Sequence, residues 1–323
     1  MTRYLVRRLL LALVTLWALT TLGFLLVEAI PGDPARQLAG PTASVQTVEA
    51  IRHAYGFDRP AWDRYLSTIE RFGHLDLGYS FSRSETVRSV IARDLGRTLT
   101  LTVLAFLGEL AIGIPLAVLV TSRKGRLADA SLVAAAGATS AIPTFLVGLL
   151  LLYVFAFRIG WFPLGGSGPP IPSPNLWTRL AQDAKYYVLP VLTVAIPFGL
   201  VLARILRTSI LEELEKPYVQ FALARGERMR TVRWRHVLPN ALLPLFSLLA
   251  LDFAGLFATV AVVEVVFSIP GVGADLFGAI KRLDTSLIIG IALVAGLVVV
   301  TVNLLADLAV IAIDPRVRRT TLG

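Results

Sequence analysis

The sequence predicts an all-α polytopic membrane protein with six transmembrane helices and an external subdomain between helices 1 and 2. Three observations predict it. Apolar residues make up 55% of the 323 residues and charged residues only 16%, against about 25% charged in a soluble domain. Mean hydropathy is +0.71, which leaves too few polar residues to cover a water-facing surface. Six stretches are also long enough to cross a bilayer, which takes roughly 20 apolar residues. They are Leu9–Ala29, Leu99–Val120, Ser131–Phe157, Tyr186–Leu206, Ala241–Phe267 and Ser286–Ile313.

The composition also excludes function classes. With no cysteine, disulfide scaffolds, thiolate metal sites and cysteine nucleophiles are ruled out. Three histidines, His53, His74 and His236, do not make a multi-histidine metal centre, and no metal site is expected. No lysine follows a glycine, so there is no Walker A loop and no cofactor is expected on this chain. The net charge of +9 would suggest nucleic acid in a soluble protein; in a membrane chain it is a loop property.

Placement of the basic residues sets the orientation. With the N-terminus inside, segments 1–8, 121–130, 207–240 and 314–323 are cytoplasmic and hold 16 basic residues in 62. The short outer segments 158–185 and 268–285 hold five in 46. Both termini are therefore expected in the cytoplasm by the positive-inside rule. The first apolar run is about 20 residues, longer than the 7–15 of a signal-peptide core, and is expected to be retained. The chain divides into 1–29 (N-terminus and first span), 30–98 (external subdomain), 99–313 (a five-helix core containing loop 207–240) and the tail 314–323.

The 30–98 segment opens on Pro31-Gly-Asp-Pro34, a turn that stops the first helix. Helical spacing follows over Ser44–Tyr55, stopped by Gly56, and over Pro60–Phe72. Seven aromatics, from Tyr55 to Phe81, are interleaved with arginines, as in a docking platform or an interfacial belt. In 207–240, Pro217 suits the first position of a helix and Gly226 its stop. Tyr218, Phe221, Ala222 and Arg225 fall at i, i+3, i+4 and i+7, sharing one face. Two turns do not stand alone, so this helix needs a partner: the membrane surface, or a groove on a cytoplasmic protein.

The run Pro217-Tyr-Val-Gln-Phe-Ala-Leu-Ala-Arg-Gly226, followed by Arg235-His-Val-Leu-Pro-Asn-Ala-Leu-Leu-Pro244, resembles the "EAA" coupling loop of ABC importer permeases. The form is that of the dipeptide/oligopeptide/nickel family. Ser140-Ala-Ile-Pro-Thr-Phe145, Gly160-Trp-Phe-Pro163, Glu264-Val-Val-Phe-Ser-Ile-Pro-Gly-Val-Gly273 and Asp314-Pro-Arg316 agree in order. The likeness is to the "B"-type permease and covers essentially the whole chain. Phe221-Ala222-Leu223 stands where the name-giving Glu-Ala-Ala lies, and Gln220 where arginine is common.

The resemblance implies a type I importer permease fold in the bacterial inner membrane and import of short peptides. It also implies a second homologous permease, an external substrate-binding protein and two cytoplasmic ATPases. ATP and Mg would bind those ATPases, leaving this chain non-catalytic. Pro217, Tyr218, Phe221, Ala222, Ala224, Arg225 and Gly226 would form the ATPase-coupling helix. Nickel chelates, haem or another small solute are alternative cargoes for the same architecture.

Acids inside spans cost roughly 2.5–3.5 kcal/mol at a lipid-facing helix centre, so Glu109 and Asp252, both near mid-span, are expected to face protein or water. They are candidates to line the pathway, with Asn303 on the sixth span and Pro143 as a joint; interhelical hydrogen bonding is the competing role. Glu28 and Glu264, near outer ends, are expected at the interface. A self-contained secondary transporter would be expected to show inverted repeats, and none is evident. Gly166-Ser167-Gly168 is the nearest cue to a serine hydrolase, but no histidine lies in a span to act as its base.

Overall fold

The computed structural model describes residues 2–40, 42–122, 126–169, 171, 173 and 175–313. The closing Asp314-Pro-Arg316 and the expected tail lie outside the described residues. The chain forms α1 (Thr2–Ala29), α2 (Pro34–Ala39), α3 (Val45–Tyr55), α4 (Ala61–Gly73) and a hairpin, β1 (Tyr79–Ser80) with β2 (Glu85–Thr86). Next come α5 (Val87–Ser122), α6 (Arg126–Ala141), α7 (Thr144–Leu151, continued by the π-helical turns Leu152–Arg158) and α8 (Leu176–Leu214). Then follow α9 (Pro217–Ala224), α10 (Met229–Val232), α11 (Leu238–Leu242), α12 (Phe246–Val266), α13 (Val272–Arg282) and α14 (Thr285–Ile313).

Among the described residues four helices are long and apolar enough to cross a membrane: Leu10–Ala29, Val87–Ser122, Trp177–Leu214 and Thr285–Leu308. A bent pair, Leu127–Ala141 with Thr144–Arg158, makes a fifth if it is one span. The stretch expected to cross at 241–267 starts with short helical pieces, and its regular part is α12. The span expected over 131–157 is broken at Pro143, the joint marked in the sequence. The chain turns through 98° after Ala141, because Pro143 has no N–H to continue the ladder and its ring disfavours helical geometry at Ile142. Pro143 itself is extended (φ −54°, ψ 131°) and precedes the first residue of α7. Pro115, Pro190 and Pro197, by contrast, lie inside unbroken helices. In a membrane protein, neighbouring helices can satisfy the carbonyls that such prolines free.

The chain divides into two compact units. The first comprises residues 1–96 and 270–304. Here Ser44 accepts a hydrogen bond from the Thr47 N–H and starts α3, and Gly56 ends it with a left-handed φ of 68°. Asp33 caps α2 and also pairs with Arg52 at 2.7 Å, while Glu28 at the end of α1 pairs with Arg64 of α4. Two aromatic groups form, Tyr55–Phe57–Phe81 and Phe24–Tyr65–Trp62.

Asp284 ties the hairpin loop to α14. It is fully buried, accepts from Ser80 Oγ (2.6 Å) and Ser82 N (3.0 Å), and caps the Leu287 N–H. Beside it Arg83 pairs with Asp275, a buried residue of α13. Burial pushes the Asp275 carboxyl above the usual carboxylate range; Asp94 pushes the same way and Arg83 opposes.

The second unit comprises, among the described residues, those of 97–269 with 305–313. Close crossing of α5 and α8 rests on small residues. A Cβ at Gly113 would stand 2.9 Å from the Gly199 carbonyl oxygen, and one at Gly108 2.9 Å from the Ala195 Cβ. Leu101, Ala105, Val194, Leu256, Val260 and Val263 form one apolar core of this unit. Glu264, expected near an outer end, is fully buried and accepts from Thr98 Oγ1 of α5 at 2.5 Å, a partner that sequence spacing does not reveal.

Candidate coupling helix and membrane cavity

The short helix α9 forms where the sequence places it. Pro217 takes the first helical position and Gly226 follows with φ 85°, a conformation suited to glycine. Its apolar face is rotated from the expected one. Val219 and Ala222 point inward and are buried, joining Ala117 and Val118 of α5, Leu132 of α6, and Leu206 and Ile210 of α8. Tyr218 and Leu223 pack against the same cluster. Pro217, Gln220, Phe221, Ala224 and Arg225 are exposed, with Phe221 71% accessible. The proposed shared face of Tyr218, Phe221, Ala222 and Arg225 is thus split: Tyr218 and Ala222 anchor, Phe221 and Arg225 present. A single sequence does not distinguish an anchoring apolar residue from a presenting one.

Polar contacts fix the ends of α9. Tyr218 donates to Glu213 Oε2 at 2.8 Å, and Lys216 pairs with the same carboxylate. Burial, then the bond to Glu213, pushes the Tyr218 phenol up to about 12. Beyond the helix, Glu227 meets His236 Nε2 at 3.0 Å, and Asn240 donates to the His236 carbonyl. Arg207 of α8 and Asp129 of α6 pair at 2.7 Å. α9 is thus packed on α5, α6 and α8 together.

A cavity of about 430 Å³ opens at the α6–α7 bend, lined by residues 139–144, Pro197, Phe198, Val201 and Asp252. Glu109 lies behind Asp252, with the two carboxyls adjoining. Glu109 is fully buried, its carboxyl set against that of Asp252. The fold thus brings Glu109, Pro143 and Asp252 to one place. Asn303 is not at that cavity; it lines a smaller one with Arg8, Leu11 and Thr15 of α1. Ser167 sits in a loop whose Gly166 N–H is tied to the Phe267 carbonyl at 2.9 Å.

Long apolar helices, one of them broken at a polar cavity, are those of a multi-pass membrane protein, and a short helix is anchored on them with an exposed outer stripe. The family described as "Binding-protein-dependent transport system inner membrane component" matches residues 113–319, and its N-terminal companion matches residues 1–102; the chain belongs to this family. It is accordingly a multi-pass inner-membrane permease subunit of an ABC importer.

Among relatives, the putative peptide permease protein of Brucella ovis is 36% identical over 326 residues, covering 99% of this chain and 100% of that protein. The glutathione transport system permease protein GsiC of Escherichia coli K12 is 31% identical over 318 residues, covering 98% and 99%. Of solved structures, the inward-facing MetNI methionine ABC transporter aligns with a TM-score of 0.54 at 17% identity, over 70% of this chain and 96% of that one, a likeness of fold.

Proposed function

We propose that this chain forms half of a translocation pathway for short peptides and transmits force to it from cytoplasmic ATPases through α9. The supporting observation is the division of labour on that helix. Val219 and Ala222 fasten it to a core shared with α5, α6 and α8, while Phe221, Ala224 and Arg225 face outward. An amphipathic helix with an exposed aromatic at its centre fits a groove on a partner. Peptides as cargo rest on the relatives, named as a peptide permease and a glutathione permease. In this reading both termini and α9 are cytoplasmic, in keeping with the excess of arginine and lysine in 1–8, 121–130 and 207–240. The 30–98 segment then faces outward, where a binding protein delivers cargo. A second permease completes the pathway, and ATP and Mg bind the ATPases; hydrolysis there shifts the population between inward- and outward-open arrangements.

Gly226 gives the test. No atom would contact a Cβ there, but its φ of 85° disfavours L side chains, by roughly 1–2 kcal/mol. Gly226→Val, assayed in the reconstituted complete transporter, should keep ATP hydrolysis while peptide uptake falls several-fold. Coupling equal to wild type would contradict the role given to this helix.

A further inference from the structure

We infer that the cavity at the Pro143 bend is a subsite for a primary ammonium group, the N-terminus of a peptide in transit, held by Asp252 with Glu109 behind it. This rests on the peptide reading above. Of the three hydroxyls in the cavity wall, on Thr139, Ser140 and Thr144, two are turned away from it. Thr139 Oγ1 donates to the Ala135 and Ala136 carbonyls and Ser140 Oγ to the Ala136 carbonyl, so these hydroxyl protons turn back into α6. Helix α6 ends at Ala141 in the cavity wall, and the last turn of a helix leaves carbonyls without intrahelical donors at its negative end. Asp252 is the ionisable residue among the lining residues. Behind it Glu109 brings a second, fully buried carboxyl that adjoins the first.

The first turn of α7 presents N–H groups at the same bend, and one of them, on Leu146, is already bonded to the Pro143 carbonyl at 2.9 Å. The two ionisable side chains at the bend, Asp252 in the wall and Glu109 behind it, are both acids. An ammonium supplies what the site lacks: three donors and one positive charge, on a group small enough for about 430 Å³. Broken helices whose ends face a polar cavity are where membrane transporters bind charged groups. Phe198 and Val201 supply the apolar wall for the adjoining part of the cargo.

The test uses the complete transporter with both permeases, the ATPases and the binding protein. Trialanine should protect Asp252 from carbodiimide labelling, read by mass spectrometry, and N-acetyl-trialanine at the same concentration should not. Asp252→Asn should lower maximal trialanine uptake about tenfold or more, the loss expected for one charge-assisted hydrogen bond. The half-saturating concentration should stay the same, and Asp252→Glu should restore most of the rate. Equal protection by both peptides, or by neither, overturns the inference. So does an Asp252→Asn protein that assembles with its partners and transports at the wild-type rate. A wild-type transporter that takes up no peptide at all overturns the peptide reading itself, and this inference with it.

Discussion

Asp275 and Asp284 show how buried charge fastens the first unit. Asp284 spends both oxygens on donors from the hairpin loop and on the start of α14. Asp275 has the Arg83 guanidinium, but burial outweighs it and holds the carboxyl above its ordinary range. In the folded protein Asp275 therefore keeps its proton to higher pH than in the unfolded chain. Its contribution to stability is full below the ordinary carboxylate range of about 4. It declines as pH rises through the raised folded value, because the folded state then binds more protons than the unfolded one. Asp275→Asn should flatten thermal stability against pH over that interval; an unchanged slope would place the titration elsewhere. Neither acid stood out in the sequence, because nothing local signals that residues 80–83 and 275–284 meet. Glu109 and Asp252 did stand out, since a carboxyl in the middle of an apolar span is conspicuous wherever its partner lies.

At the scale of elements, local chemistry was legible and long-range packing was not. Ser44, Gly56, Pro217 and Gly226 announce the ends of α3 and α9, because caps and stops are local. The hairpin and α13 carry no comparable apolar run, and α5 and α8 extend past their apolar stretches into residues that pair across the fold. Pro143 signalled a kink; the 98° turn depends on neighbours that accept it. The two faces of α9 make a matched pair of predictions. Val219→Ala, a buried truncation, should destabilise the protein by about 1.5 kcal/mol, measured as a lowered melting temperature in detergent. Phe221→Ala should leave the melting temperature alone and weaken ATPase association by about 30-fold, the effect of losing an interface anchor worth about 2 kcal/mol. The reverse pattern would mean that Phe221 anchors and Val219 presents.

For the whole molecule, the proposed function makes this chain a moving wall driven by ATPases on partner subunits. The sequence carries no Walker A loop, the family is that of a transport system's inner-membrane component, and α9 is fastened to three long helices of its own unit. Reconstitution into liposomes tests this most directly, with trialanine outside and ATP available to the α9 face. The chain alone should show no uphill uptake, and uptake should appear only when the second permease, the ATPases and the binding protein are all present. Accumulation against a gradient by this chain alone would contradict the account at its centre.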